Sequence, residues 1–164
     1  MKYLTLLFIL INILIASAQV DYNLNYVSKN FVEYTFDDEG NVNWDEGEFV
    51  NVGHILSPTK DELRITTIIY KPENPEYSDY FFNWRFDKKG PDGEDSYFIL
   101  EERKIVGIVT FLYDVAEIWI LSGDTNGDGE FETLRRLDEV SFFEKNEEDI
   151  RQEKEYIPQT QRKN

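Results

Sequence analysis

Oxygen-bearing side chains recur at alternate positions in segment 122–133, which reads SGDTNGDGEFET. Asp124, Asn126 and Asp128 lie two residues apart, and Gly129 follows them directly. In a tight loop, alternate side chains converge on one point, and a glycine permits the sharp bend that brings them there. Calcium takes about six to eight oxygen ligands in loops of this kind. The spacing therefore predicts a calcium-binding loop.

This segment resembles the first half of an EF-hand or dockerin-type calcium loop, over about twelve residues. The resemblance implies that the main-chain carbonyl of Glu130 is the seventh-position ligand and that Glu132 is the ninth. At the twelfth position, where those families place a glutamate or an aspartate, this chain has Arg135. An arginine cannot ligate a cation, so the shell is complete only if Glu132 or Asp138 substitutes. The predicted metal ligands are Asp124, Asn126, Asp128, Glu130 and Glu132.

The same segment also has the composition of a β-hairpin turn. The Asn-Gly pair at 126–127 and the Asp-Gly pair at 128–129 are favoured turn dipeptides, because these residues tolerate positive φ. The flanking residues, 118–121 and 131–137, look like strands rather than the helices of an EF-hand. The resemblance therefore extends to the loop and not to the EF-hand fold, and a metal site and a simple turn remain alternatives.

The rest of the chain reads as an antiparallel β protein. Runs of β-branched and aromatic residues alternate with short clusters of Gly, Asp, Asn and Pro, and no convincing amphipathic helix occurs before residue 144. The pattern predicts an all-β domain, either a small antiparallel β-sandwich or an up-and-down β-barrel of about seven to nine strands. The predicted strands are 31–36, 42–52, 63–70, 80–86, 96–100, 104–113, 115–121, 131–137 and 140–143.

The two ends of the chain differ from this domain in composition. Residues 1–18 place one lysine before an apolar run and end in Ala-Ser-Ala, the pattern of a secretory signal peptide. The chain has no cysteine, which excludes a disulfide framework and favours a bacterial periplasm or exterior as the location. Residues 19–143 form the single predicted β domain. Residues 144–164 are dense in charges of both signs and predict a short helix or a disordered tail.

The charge of the chain limits its partners. The formal net charge is −16, and removal of residues 1–18, whose one charged residue is Lys2, makes it −17. A surface this acidic repels phosphate backbones, so nucleic acid is not an expected partner. Every apolar run after Val20 is broken by charge within a few residues, so no membrane insertion is expected once the signal peptide is removed.

Residues suited to catalysis are sparse. His54 is the single histidine, no nucleophile motif surrounds any serine, and a zinc site has no second nitrogen or sulfur ligand. Paired carboxylates beside a tryptophan could serve glycoside hydrolysis, yet 33 acidic residues make such pairs expected by chance. The pairs are Asp45 with Glu48 and Glu101 with Glu102, beside Trp44 or Trp84. The sequence thus predicts that the protein is not an enzyme.

A second alternative concerns four aromatic residues that alternate along one strand, namely Tyr80, Phe82, Trp84 and Phe86. This face is the core of a sandwich, or it lines an apolar cavity if the sheet closes as in lipocalin-like binders. The sequence predicts an exported bacterial binding or structural module that holds one calcium ion weakly. The alternative is a lipocalin-like barrel for a small apolar ligand, and a carbohydrate-active hydrolase is the least favoured function.

Overall fold

The computed structural model describes residues 20–123 and 131–147, and within them eleven strands join in one antiparallel sheet. The strands are β1 (Leu24–Ser28), β2 (Phe31–Thr35), β3 (Glu48–Val50), β4 (Val52–Pro58), β5 (Glu62–Ile69), β6 (Glu76–Lys89), β7 (Asp95–Glu101), β8 (Lys104–Leu112), β9 (Glu117–Ser122), β10 (Thr133–Leu137) and β11 (Ser141–Glu144). Their order across the sheet is β11-β1-β4-β5-β6-β7-β8-β9-β10-β2-β3. Short 3-10 helices lie at Trp44–Glu46 and Tyr113–Val115, and the described part of the chain has no α-helical element. The all-β prediction is confirmed.

The sheet is strongly curled, so that its concave face encloses the core. β1 and β2 are separated in the chain only by Lys29 and Asn30, yet they lie near opposite ends of the strand order. The ring of Tyr26 on β1 lies 5.1 Å from the ring of Phe111 on β8, although four strands stand between them in the sheet. Register shifts in the β6–β7 and β7–β8 ladders mark bulges, which increase local bending and twist.

The finer fold predictions need correction. The described strands form one sheet rather than the two of a sandwich, its hydrogen-bonded ladder does not close into a barrel, and there are eleven strands rather than about seven to nine. The predicted strand at 42–52 is mostly loop and 3-10 helix; it contains the short β3, an isolated bridge at Val42 and the first residue of β4, Val52. Conversely, β1 and β4 were not predicted. They contain Asn, Ser, Gly and Pro, which strands disfavour, and they are strands here because each pairs with neighbours on both sides.

Several predicted segments fall outside the described residues. The signal peptide at 1–18 is one, and most of the charged tail at 144–164 is another. In the described start of that tail, Glu144 ends β11, and the main-chain N–H of Lys145 donates to the carbonyl of Asn23 at 2.9 Å. Within the described ranges, no helix is both long enough and apolar enough to cross a bilayer.

A smaller cluster of side chains covers the convex face behind β2, β9 and β10. Tyr34 packs edge-on against Trp44 with ring centroids 5.1 Å apart, and Trp44 lies 5.7 Å from Trp119. The guanidinium of Arg136 lies 5.5 Å from the centre of the Tyr34 ring and donates to Asp138 at 2.8 Å. The same three strands line a cavity with their opposite, concave face.

Candidate ligand-binding cavity

One half of the concave face, here called the packed half, is filled by aromatic rings. Trp84 and Tyr97 stack with ring centroids 4.3 Å apart, and Phe111 meets them edge-on at 6.3 and 6.1 Å. The indole N–H of Trp84 donates to the carbonyl of Thr59 at 2.8 Å, so its polar atom is satisfied. Tyr22, from the segment before β1, packs edge-on against Trp84. Stacked and edge-on ring contacts of this kind are typical of a protein core.

The other half, here called the cavity half, encloses an open volume of about 490 Å³. The aliphatic part of its wall comes from Val52, Ile65, Ile69, Ile99, Val106 and Ile120. Phe31, Tyr80 and Phe82 add aromatic surface. The polar side chains in the wall are His54, Thr67, Glu101, Ser122 and Arg135. An apolar concavity of this size with a few polar groups is typical of small-molecule sites, which measure about 300–1,000 Å³.

The cavity has a buried floor and an exposed rim. Phe31 and His54 are 5% and 3% exposed, whereas Tyr80 is 52% exposed and Ile69 is 41% exposed. Exposure therefore rises from β2 and β4 toward the outer parts of β5 and β6. A molecule entering from solvent would pass Tyr80 before it reached His54.

An ion pair borders the floor. Arg135 Nε lies 2.7 Å from Glu33 Oε2 on the neighbouring strand, and the Arg135 guanidinium also lies 5.3 Å from the centre of the Phe31 ring. The side chain of Arg135 keeps 39% of its surface exposed, so this cation still faces open volume. Within the described residues, its hydrogen bonding is confined to Nε, which leaves the outer N–H groups of the guanidinium as donors toward the cavity.

His54 is the most buried polar residue of the cavity wall. Its ring packs edge-on against Phe31 at 5.1 Å, and its Nδ1 has no hydrogen-bond partner in the described part of the chain. Burial, together with the nearby Arg135 guanidinium, lowers the pKa of His54 from 6.5 to about 4. The imidazole is therefore neutral at pH 7.

The alternation of side chains along β4 and β10 places His54 and Arg135 on the concave face of the sheet. On β10, Arg135 is opposite Ile120 and Leu137 is opposite Ile118, so both share the inward face. On β4, His54 lies two residues from Leu56, which is fully buried. The sequence analysis left His54 outside the predicted strands and considered Arg135 only as a residue that cannot ligate the metal. The signal available in the sequence was a charged or titratable residue at an otherwise apolar inward position.

The arrangement suits binding better than bond-breaking chemistry, since it combines apolar surface with one paired cation and one neutral imidazole. No family model, curated protein or solved structure matches the chain.

The predicted calcium loop lies largely outside the described residues. Of its predicted ligands, Asp124, Asn126, Asp128 and Glu130 are not described, and Glu132 is. The main-chain N–H of Glu132 donates to the carbonyl of Ser122 at 3.2 Å, and Gly123 has φ of +98°. The flanking residues belong to β9 and β10, which pair with each other, so the prediction of strands on either side is confirmed.

Asp138 is poorly placed to complete the calcium shell. Asp138 follows the far end of β10 and binds Arg136, with Nε–Oδ1 at 2.8 Å. A strand rises about 3.3 Å per residue, so Asp138 lies roughly 20 Å along the strand from Glu132. Among the described residues, no group of three or more His, Asp and Glu side chains could hold a metal ion.

The carboxylate that lines the cavity is separate from both tryptophans considered for glycoside hydrolysis, whereas Asp45 lies next to Trp44 in the 3-10 helix Trp44–Glu46. Trp84 is 4% exposed within the packed half, so it cannot stack on a sugar. Glu101 lines the cavity, whereas Trp44 packs on the convex face against Tyr34. The described part of the fold therefore does not combine the cavity carboxylate with either proposed tryptophan.

Proposed function

We propose that this chain is an exported, non-enzymatic binding module that holds a small, predominantly apolar molecule in the cavity half of its curled sheet. The observation that carries the proposal is the 490 Å³ cavity within an otherwise well-packed concave face. An open sheet can enclose such a volume because β1 and β2 bring its two ends together. The proposal keeps the small-ligand function considered from the sequence and replaces the closed barrel with a curled, open sheet.

The contrast with the packed half supports binding over a purely structural role. Protein interiors are normally packed to the density of organic crystals, and voids larger than a water molecule are few. Here the apolar residues Ile65, Ile99 and Ile120 are buried at the cavity, with 8%, 4% and 5% of their surface exposed. Their side chains face a volume that an apolar ligand would fill, and such filling is favourable at about 25 cal/mol per Å² of surface removed from water.

The test uses N-phenyl-1-naphthylamine, a neutral dye whose emission rises in apolar surroundings. We expect saturable fluorescence enhancement with the wild-type protein and its loss in Thr67→Phe, because the added ring occupies the cavity from the middle of β5. Asn83→Phe is the matched control, since Asn83 is exposed on β6 and lies outside the cavity lining. Equal dye binding by both variants, or no binding by the wild type, would refute the proposal.

We also propose, from ligand spacing alone, that the loop 124–132 binds calcium weakly. Its support is the series Asp124, Asn126 and Asp128 with Gly129 at the sixth position. With Arg135 at the twelfth position and Asp138 too distant, Glu132 is the remaining carboxylate for that side of the shell. The affinity expected is that of weak extracellular sites, in the range of about 0.1 to 1 mM.

A further inference from the structure

Two of the five polar side chains in the cavity wall, His54 and Arg135, lie at the same side of it. His54 and Arg135 both contact the ring of Phe31, at 5.1 Å between ring centroids and at 5.3 Å from the guanidinium carbon. The opposite wall, from β6 to β9, is aliphatic and aromatic apart from Glu101 and Ser122. A bound molecule would therefore meet two nitrogen-bearing groups beside Phe31 and mostly apolar surface along the rest of its length.

This inference rests on the proposed function. We propose that the cavity selects amphipathic molecules with a neutral hydroxyl head group, held between the Arg135 guanidinium and the part of the His54 imidazole that lines the cavity. A hydroxyl both donates and accepts, so it can pair with the imidazole in either tautomer while it accepts a hydrogen bond from Arg135. The apolar body then lies on Ile65, Ile99 and Phe82, with its far end toward the exposed Tyr80.

The charges around the cavity favour a neutral head group over an ionised one. The Arg135 cation is already paired with Glu33 at 2.7 Å, and Glu101 on the opposite wall is a second carboxylate. His54 contributes no charge at neutral pH, since its pKa is about 4. A carboxylate head would lose its hydration without meeting an unpaired cation, and an ammonium head would face Arg135. The chain's net charge of −16 further opposes anions.

The first experiment measures displacement of bound N-phenyl-1-naphthylamine at pH 7.5 by three ligands with the same ten-carbon chain: 1-decanol, decanoate and decylammonium. We expect decanol to displace the dye at a concentration at least about tenfold lower than either ion, because burying an ionised head costs more than burying a hydroxyl. Equal or stronger displacement by decanoate would overturn the head-group inference.

Two variants test the two proposed contacts. His54→Phe and Arg135→Gln should each weaken decanol binding about five- to tenfold, the loss of one hydrogen bond. Arg136→Gln is the matched control, because Arg136 is the adjacent arginine but lies on the convex face with Asp138. Circular dichroism verifies that each variant is folded. Unchanged decanol affinity in a folded His54→Phe or Arg135→Gln protein would contradict the inference.

A third variant is expected to favour decanoate over decanol relative to the wild-type protein. Glu33→Gln removes the carboxylate that pairs with Arg135, so the guanidinium is left to attract an anion. We expect decanoate to gain at least about tenfold in affinity relative to decanol, since charge-assisted bonds are roughly twice as strong as neutral ones. A preference unchanged by Glu33→Gln would count against selection by charge.

The outcomes separate this inference from the proposed function. If the dye binds and all three ten-carbon ligands displace it equally, the cavity is a general apolar site and the head-group inference alone fails. If the dye does not bind the folded wild-type protein, the proposed function fails and the inference fails with it.

Discussion

The packed half and the cavity half of the concave face are built by many of the same strands. Along β7, Tyr97 fills the packed half, and Ile99 and Glu101 follow it into the cavity half. Along β10, Leu137 is fully buried, whereas Arg135 lines the cavity. The inward alternation is the same in both halves, so what differs is the volume and polarity of the side chains on it. Large rings meet across the curled sheet, and shorter aliphatic side chains leave a space between them.

The largest expected difference between the halves is the loss in the free energy of unfolding when an aromatic ring is deleted. Trp84→Ala should lower the free energy of unfolding by about 3–5 kcal/mol, because it removes a stacked ring that is 4% exposed and a hydrogen bond to Thr59. Phe82→Ala should cost less than half as much, since one side of that ring already faces the cavity. Urea denaturation of both variants measures this, and equal costs would mean that the two halves are equally packed.

Acidification should lower the free energy of unfolding because His54, in the cavity half, is buried as a neutral imidazole. The folded-state pKa of about 4 lies below the unfolded value of 6.5, so the unfolded chain binds the additional proton between these pH values. Stability is therefore unaffected by His54 above pH 6.5 and falls as the pH drops toward 4, by about 3 kcal/mol in total.

The control for this prediction is His54→Phe, which lacks the titrating group. The difference in unfolding free energy between wild type and variant should change across pH 4 to 6.5 and stay constant above it. The subtraction also removes the opposite contribution of Asp95, whose pKa is raised chiefly by burial. A constant difference over the whole range would show that His54 is not buried as described.

The smallest expected effect concerns the loop between β9 and β10. Calcium at ten times its dissociation constant should add about 1.4 kcal/mol to the free energy of unfolding, by mass action on the folded state. The D124A/D128A double variant should lose this increment. Isothermal titration and thermal unfolding with calcium or a chelator measure it, and identical behaviour of wild type and double variant at millimolar calcium would leave the loop as a hairpin turn.

Much of the sheet could be predicted from alternation alone. The predicted segments 63–70, 96–100 and 104–113 correspond closely to β5, β7 and β8. Alternation also placed Tyr80, Phe82 and Trp84 on one face, and the structure finds Tyr80 and Phe82 in the cavity and Trp84 in the packed half. Local sequence determines which face a side chain occupies because the period of a strand is two residues.

The curvature of the sheet and the composition of the site could not be predicted in this way. Curling depends on bulges and on the pairing of β1 with β4 and of β2 with β10, which join residues far apart in the chain. The cavity follows from that curvature, and so does the meeting of His54 with Arg135. An arginine on an inward strand position indicates a polar contact, but its partner, Glu33, is 102 residues away.

The pairing of the first described strand with the last has a consequence for folding kinetics. β1 pairs with β11 through Leu24 and Glu144, and Ser28 bonds the carbonyl of Asp138 across 110 residues. Chain entropy must be lost before such distant contacts give any stability, which makes folds of this kind slow. We therefore expect the docking of segment 24–35 between the two ends of the sheet to limit the folding rate. Until it docks, the apolar concave face stays open to solvent and to aggregation.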